Sequence, residues 1–485
     1  VQQYLDRIDK YEERLNAIIT LNPRALDEAE RLDRERSQGK IRGPLHGIPI
    51  ALKDNIHTTD MPTTGGALAF RGLVPPYEAT ITKYLRDGGA IIIAKTNLTE
   101  LANYVAVGMP GNYNALVGYG LNPYDLRLDP RPGTSDGRPA LNPGGSSSGA
   151  GTSANFWAAN VGTETSGSIL TPANQTMLAA IKPTVGRISR HGIIPITADQ
   201  DTAGPMARTV ADAAVLLGVL EGPGADVNDI GATLCPRVPR GDYTQYLDRR
   251  SLSGARIGIP RNYAIDTIHA KVLDEAIAVL KQQGAVVVDR ADLPSQPPPR
   301  CGAARVRDPE CSLVFAYGMK RDFNKWLASL GPAAPVKTLT ELREWNLARQ
   351  NDGAIKYGQA QLDNSDDMDL EADHARYVAD RARDIRLSRS EGIDAVLTRE
   401  RLDALLFVPP GGVVSAATAG YPTVIVPFGF VPNSPTPPFP DGFDARPSPV
   451  GVRFTGTACS EPRLVALAYA FEQATKRRVA PADFP

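Results

Sequence analysis

The chain is short of the residues that build metal and disulfide scaffolds. Four cysteines (Cys235, Cys301, Cys311, Cys459) and five histidines are scattered over 485 residues, too few and too dispersed for a disulfide framework or a cysteine-based zinc site. Cys301 and Cys311 alone stand near enough to meet across a loop. No metal and no organic cofactor is expected. Equally lacking is any run approaching the ~20 apolar residues of a membrane helix. Charge of one sign is not in excess either: 53 basic residues face 54 acidic ones, which leaves no general attraction to nucleic acid or to an anionic membrane. A small substrate fits this balance better. The oligomeric state, monomer or homodimer, stays open, and because the first residue is Val1, a trimmed leader keeps a secreted or periplasmic location open beside a cytoplasmic one.

What is present is the composition of a large globular enzyme, with 42% apolar and 22% charged residues. The length allows one large domain or two intimately joined ones. Tyr4, Leu5, Ile8, Tyr11 and Leu15 recur at three- and four-residue steps and predict an amphipathic helix, and Ala25 to Ser37 predicts a second one. Residues 17–21 form a short apolar run. Ile50 to Lys53 is an apolar stretch bounded by turn signals, short enough for a buried strand. Ile81 to Ala94 reads as helix, glycine stop and buried strand, and Leu273 to Val288 repeats that order. Such a repeat predicts an α/β fold with a mixed, largely buried central sheet covered by helices on both faces.

Residues 231–400 carry weaker signals: a proline cluster (Pro294, Pro297, Pro298, Pro299) and an acidic stretch from Asp363 to Asp373, read as a solvated helix start rather than a metal site. Apolar runs return at Leu405–Val408, Thr423–Phe428 and Gly451–Phe454, which predicts that the end of the chain completes the first sheet. We therefore expect a single domain over 1–485: N-terminal helices to 40, core motifs over 41–230, a variable middle over 231–400 and a return to the sheet over 401–485.

The most informative stretch runs from Asn142 to Pro172, NPGGSSSGAGTSANFWAANVGTETSGSILTP. By composition alone it could be a flexible Ser/Gly linker. Phe156, Trp157, Ile169, Leu170 and Met177, set among or just after the small residues, have no use in a linker. Small residues allow close backbone approach and leave N–H groups free to point at a ligand, so Ser168, after Thr165, Ser166 and Gly167, sits where a nucleophile could meet several converging amides.

GGSSSG at Gly144–Gly149, GTETSGSI at Gly162–Ile169 and HGIPIALKDN at His46–Asn55 together resemble the amidase signature family of serine hydrolases. AKTNLTELAN (Ala94–Asn103), IKPTVGRISRHGIIPI (Ile181–Ile196) and QDTAGPMARTVADAA (Gln200–Ala214) follow in the family's order, so the resemblance covers most of the chain. It is greatest to the peptide amidase branch. The resemblance implies a Ser-cisSer-Lys triad in which Ser168 matches the nucleophile, Ser146 the bridging serine whose peptide bond is cis in the family, and Lys53 the base. Ser147 is a fallback for the bridging role, and the backbone amides of Thr165, Ser166, Gly167 and Ser168 are the oxyanion-hole candidates.

The chemistry suits these residues. Serine needs a nearby base, and none of His46, His57, His191, His269 and His374 stands in a convincing triad context. A lysine serves only if burial strips its proton, and Lys53 ends an apolar run. Asp54, the next residue, should point to the opposite face of the strand. Two departures from the family pattern stand out. Ser168 lies 22 positions after Ser146, a couple fewer than usual, so the intervening helix is shortened or entered differently. Leu170 stands where the family often has Arg, which removes one partner for a substrate carboxylate. The loop Asp129–Pro143 looks long and could shape substrate choice. The resemblance implies an amide hydrolase acting through an acyl-enzyme on peptide C-terminal amides or small acyl amides; an aryl acylamide or carbamate hydrolase and an amidotransferase subunit supplying ammonia to a partner are the alternatives.

Overall fold

A computed structural model describes the chain except residues 135, 230, 232–234 and 303–307. Thirteen strands are described: β1 (Ile18–Leu21), β2 (Pro49–Lys53), β3 (Ile91–Thr96), β4 (Tyr113–Asn114), β5 (Gly118–Tyr119), β6 (Ala159–Glu164), β7 (Ala179–Lys182), β8 (Thr202–Ala207), β9 (Arg256–Ile259), β10 (Val286–Asp289), β11 (Ala404–Phe407), β12 (Thr423–Val431) and β13 (Ser448–Thr455). Strands β4 and β5 pair only with each other. The other eleven form one mixed sheet in the order β1-β3-β2-β6-β8-β7-β12-β13-β11-β9-β10. Parallel pairs (β3 with β2, β2 with β6, β11 with β9, β9 with β10) bracket an antiparallel middle.

The strands predicted from apolar runs are all present, and the exceptions are at the edges. Residues 18–21 of the N-terminal apolar run are an edge strand, antiparallel to β3. At the far edge β10 has one partner and leaves Val286 44% exposed, so this strand is not the buried one its Val-Val-Val run predicts. The interior strands β2, β3, β6, β7 and β8 are buried along their whole length, as continuous apolar strands between two layers must be.

Alternation along β2 divides the two faces. Ile50 and Leu52 enter the main core, shared with the helices Thr80–Asp87, Val210–Glu221, Thr267–Gln282 and Glu461–Thr475. Ala51 joins a second core under the N-terminal helices Gln2–Leu15 and Ala25–Ser37. A third apolar cluster lies in the middle region, where Phe323, Trp326, Leu327 and Leu330 pack on Phe70, Leu101 and Tyr113.

All four cysteines are bridged. Cys301 joins Cys311, and Cys235 joins Cys459 across 224 residues. The second bridge corrects the expectation of cysteines too scattered to pair. The C-terminal helix Glu461–Thr475 returns to pack in the same core as Val210–Glu221, with Glu472 accepting from the Val210 amide at 2.8 Å, and this brings the two distant segments together. Among the carboxylates of the acidic stretch, Asp363 and Asp366 pair with Arg343 at 2.6 and 2.5 Å.

Candidate active site

The floor of the site follows from strand register. Lys53 is the last residue of β2, and Leu52 lies opposite Val161 of β6, so the lysine side chain emerges beside the end of β6. It is fully buried. Its Nζ lies 2.7 Å from Ser146 Oγ, 2.9 Å from Thr163 Oγ1 and 3.3 Å from the Thr163 carbonyl. No carboxylate touches it among the described residues. Burial pulls its pKa down to about 7, opposed by the more distant charges of Asp201 and Glu164. Asp54 is turned elsewhere, accepting from the Thr64 amide at 3.0 Å and pairing with Lys95 at 3.1 Å.

The serines are held by backbone. The Ser146 carbonyl accepts from the Thr99 amide at 3.0 Å. Ser147 donates its amide to the Ser168 carbonyl at 3.2 Å and its hydroxyl to the Thr163 carbonyl at 3.0 Å. Ser147 thus ties the serine loop to β6 and to Ser168 but does not touch Lys53. Gly145 keeps this approach possible: a Cβ there would lie 3.3 Å from the Ser168 Cα. The Ser168 hydroxyl has no hydrogen-bond partner among the described residues, and the residue is largely buried.

One expectation is corrected. The cis peptide bonds among the described residues are Pro409–Pro410 and Thr436–Pro437, so the bond entering Ser146 is trans, the form a non-proline bond favours by ~3 kcal/mol. Ser146 still reaches Lys53 in this form. The segment that separates it from Ser168 is short, with a single helical turn at Ala150–Ser153, which accounts for the reduced spacing.

Residues 165–168 form the turn out of β6, with Gly167 at φ 88°. Their four amides find no protein acceptor among the described residues, whereas the next two, Ile169 and Leu170, donate to Glu164 Oε2 at 2.8 and 3.0 Å. Glu164 thereby folds the chain back on itself and leaves the amides ahead of it unpaired. Buried N–H groups are almost always paired, so four consecutive free ones mark a place where an acceptor belongs.

Thr165 is fixed from the side. Its hydroxyl donates to Asp201, whose other oxygen accepts from the Ile196 and Thr197 amides at 2.9 and 3.0 Å, and Gln200 Nε2 donates to the Thr165 carbonyl at 3.2 Å. Burial raises the Asp201 pKa to about 7, against these hydrogen bonds.

A cavity of about 350 Å³ opens beside this floor; Asn55, Thr163, Thr165, Asp201, Lys325 and Trp326 are among its lining residues, while Lys53, Ser146 and Ser168 lie behind them. Asn55 Nδ2 donates to Thr163 Oγ1 at 3.0 Å, so the cavity reaches within one side chain of the lysine amine. The arrangement offers an amine poised near neutrality, two hydroxyls and a row of free amides, which is what acyl transfer requires. A model of the amidase family matches residues 1–465.

The chain belongs to the amidase family. This amidase is 37% identical to the peptide amidase from Stenotrophomonas maltophilia, with a TM-score of 0.87, over 99% of this chain and 94% of that one. It is 34% identical to a probable amidase from Arabidopsis thaliana, over 99% of this chain and 87% of the relative. It is also 30% identical to a glutamyl-tRNA(Gln) amidotransferase subunit from Microcystis aeruginosa, over 98% of this chain and 93% of that relative. The amidase is an amide-hydrolysing enzyme, and no described helix is long and apolar enough to cross a membrane.

Other predicted features of the amidase fall away from the cavity. Leu170 is fully buried among Ile169, Ala173, Ala180 and Ile425, so it meets the core and not a substrate carboxylate. The loop Asp129–Pro143, apart from residue 135, docks on Tyr357 through Asp136 and does not line the cavity. Among the described residues no histidine ring bonds to a serine of the floor: His46 bonds to the Leu32 carbonyl, and His57 accepts from the Trp326 indole at 2.9 Å. Sequence reasoning missed Thr163, Glu164 and Asp201 as contacts of the site, although all three lie inside the quoted motifs. It had no signal for Trp326.

Proposed function

We propose that the amidase hydrolyses primary carboxamides, chiefly peptide C-terminal amides, through an acyl-enzyme on Ser168. The observation that carries the reading is the Lys53 amine, buried without a touching carboxylate and 2.7 Å from Ser146 Oγ. Neutral Lys53 takes the Ser146 proton as Ser146 takes that of Ser168. Ser168 Oγ then bonds to the carbonyl carbon, and the oxyanion is held by the free amides of 165–168. The proton returns along the same path to the amide nitrogen, the C–N bond breaks and ammonia leaves. Water repeats the sequence against the ester and releases the acid. The relay requires the Ser146 and Ser168 hydroxyls to come within hydrogen-bond reach of each other, and the Ser168 hydroxyl has no competing partner among the described residues.

Likeness to the peptide amidase over nearly the whole of both chains supports the substrate class. The amidotransferase relative keeps a second reading in view, in which the same floor makes ammonia for a partner. Ammonia release by the chain alone from a simple peptide amide separates the two. Pairing of all four cysteines supports an oxidising compartment over the cytosol. The decisive test is Ser168→Ala: kcat should fall about 10³-fold or more with the thermal melt unchanged, and undiminished turnover would end the reading.

A further inference from the structure

The cavity beside the floor has a wall that the family chemistry does not explain. Asp322, Lys325, Trp326 and Ser329 all line it and fall at steps of three and four on the helix Val314–Ser329, so one face of this helix from the variable middle region is turned to the site. Tyr77 continues this wall: its hydroxyl bonds to Ser329 Oγ at 2.6 Å, and its ring packs on His57, which accepts from Trp326. On its other side Tyr77 stacks on His191 with ring centroids 4.9 Å apart and planes at 21°; Ile193, Ile194 and Ile196 also line the cavity.

Most polar groups of the lining are satisfied by the protein; the exception is the buried Asn55 Oδ1, which has no partner among the described residues. Trp326 has one donor, and it is bound to His57 Nε2. Burial pushes His57 down to about 3, so no charge sits behind the indole. Arg190 is held by Asp229 at 2.6 and 2.9 Å. Asp322 is held by Arg321 at 2.7 and 2.8 Å and by the Ala198 amide at 2.7 Å. Asp201 takes three donors, as described above. Of the cavity's charged groups, Asp201 and the exposed Lys325 have no ion-pair partner among the described residues, and Asp201 is held by neutral donors instead. A polar ligand group would find few open partners inside, whereas an apolar one would release water from aromatic and aliphatic surface.

Size and chemistry then restrict the occupant. On the reading proposed above, the departing group is ammonia, a single nitrogen that needs no cavity. A space of about 350 Å³, at the small end for ligand sites, can therefore serve only the acyl side, and it suits one large side chain with its flanking backbone rather than a long peptide. We infer that the cavity seats the side chain next to the scissile carboxamide, and that it selects an aromatic one, held against the continuous wall that Trp326, Tyr77 and His191 form.

The test uses N-acetyl dipeptide amides ending in Phe, Trp, Leu or Gly, with ammonia release as the readout. The wild-type kcat/KM ratio of Phe to Gly is expected to be at least tenfold, within the 10–200-fold range a hydrophobic pocket provides. Two variants should each lower that ratio at least fivefold. Trp326→Leu removes the wall. Ala198→Trp fills the mouth from an exposed lining position, so it remains informative should the first variant fail to fold. A wild-type ratio within threefold, or a ratio unchanged in folded Ala198→Trp, would overturn the inference and leave the proposed reaction standing. Should no amide be turned over, the reaction fails instead, and calorimetric binding to Ser168→Ala decides the cavity. Tenfold tighter binding of N-acetylphenylalaninamide than of N-acetylglycinamide upholds it, and equal binding refutes it.

Discussion

Two buried lysines lie side by side in the sheet, one paired with a carboxylate and one, the base of the proposed reaction, not. Lys95 on β3 lies opposite Leu52, one residue before Lys53 on the neighbouring strand, and both side chains are fully buried. Each amine also has three oxygen contacts. Lys95 reaches Asp54 at 3.1 Å, the Pro62 carbonyl at 3.0 Å and Thr63 Oγ1 at 2.7 Å. Lys53 reaches only the Ser146 and Thr163 hydroxyls and the Thr163 carbonyl. Burial lowers both pKa values, and Asp54 opposes it directly at Lys95, while at Lys53 the opposition comes from Asp201 and Glu164 without contact. Burial alone does not make a base. On the proposed reading the missing carboxylate does: Asp54 touches Lys95, and no described carboxylate touches Lys53.

The largest effects come from removing each amine in turn. Lys53→Met should cut kcat by about 10³-fold or more while raising the melting temperature at neutral pH. With its pKa at about 7 when folded and near 10.5 when unfolded, the unfolded chain binds the extra proton between those values. Wild-type stability from this group is therefore complete above the unfolded value and is lost as pH falls through about 7. Melts of the two proteins between pH 7 and 10 should show this rising slope in the wild type only. Lys95→Met should behave in the opposite way. It leaves Asp54 buried without its partner, costing about 3–5 kcal/mol. The raised carboxylate pKa then makes the variant less stable as pH increases. Adding Asp54→Asn should recover most of the loss. A Lys95→Met protein that melts like wild type would break the comparison.

Next in size is the pH dependence of turnover. If catalysis needs the neutral Lys53 amine, kcat/KM rises with pH and reaches half its plateau near 7. A flat profile from pH 5 to 9 would remove lysine from the role of base.

How much of this was legible in sequence depends on whether the relevant contacts are local. Lys53 could be read because its own strand, Pro49–Lys53, announces its burial, and the turn at 165–168 because glycine and small polar residues follow a buried strand. Sheet order was not legible: β6 pairs with β8, and β7 with β12, across helices and loops whose packing has no local signal. Residues 18–21 looked like a bare apolar run because only the β3 edge makes them a strand. Glu164 and Asp201 stood in recognised motifs, yet their work is to hold amides brought near by chain reversal. Trp326 is invisible to motif reading, since the face its helix turns to the site is set by distant packing on Phe70.

The smallest expected effect tests whether distance is what spares Lys53. Asp201 acts on the lysine through space and on Thr165 through a hydrogen bond, and Asp201→Asn separates these actions. The amide oxygen can still accept from the Ile196 and Thr197 amides and the amide nitrogen can donate to the Thr165 hydroxyl, so the turn is kept. The negative charge that raises the Lys53 pKa is gone. The acid limb of kcat/KM should therefore move to lower pH, by less than one unit as expected for a screened charge that does not touch the amine, and should sharpen to a single proton, because in the wild type two coupled groups titrate near 7. An upward shift would mean that Asp201 helps strip the proton from Lys53, and the contrast between the two lysines would then rest on more than a touching carboxylate.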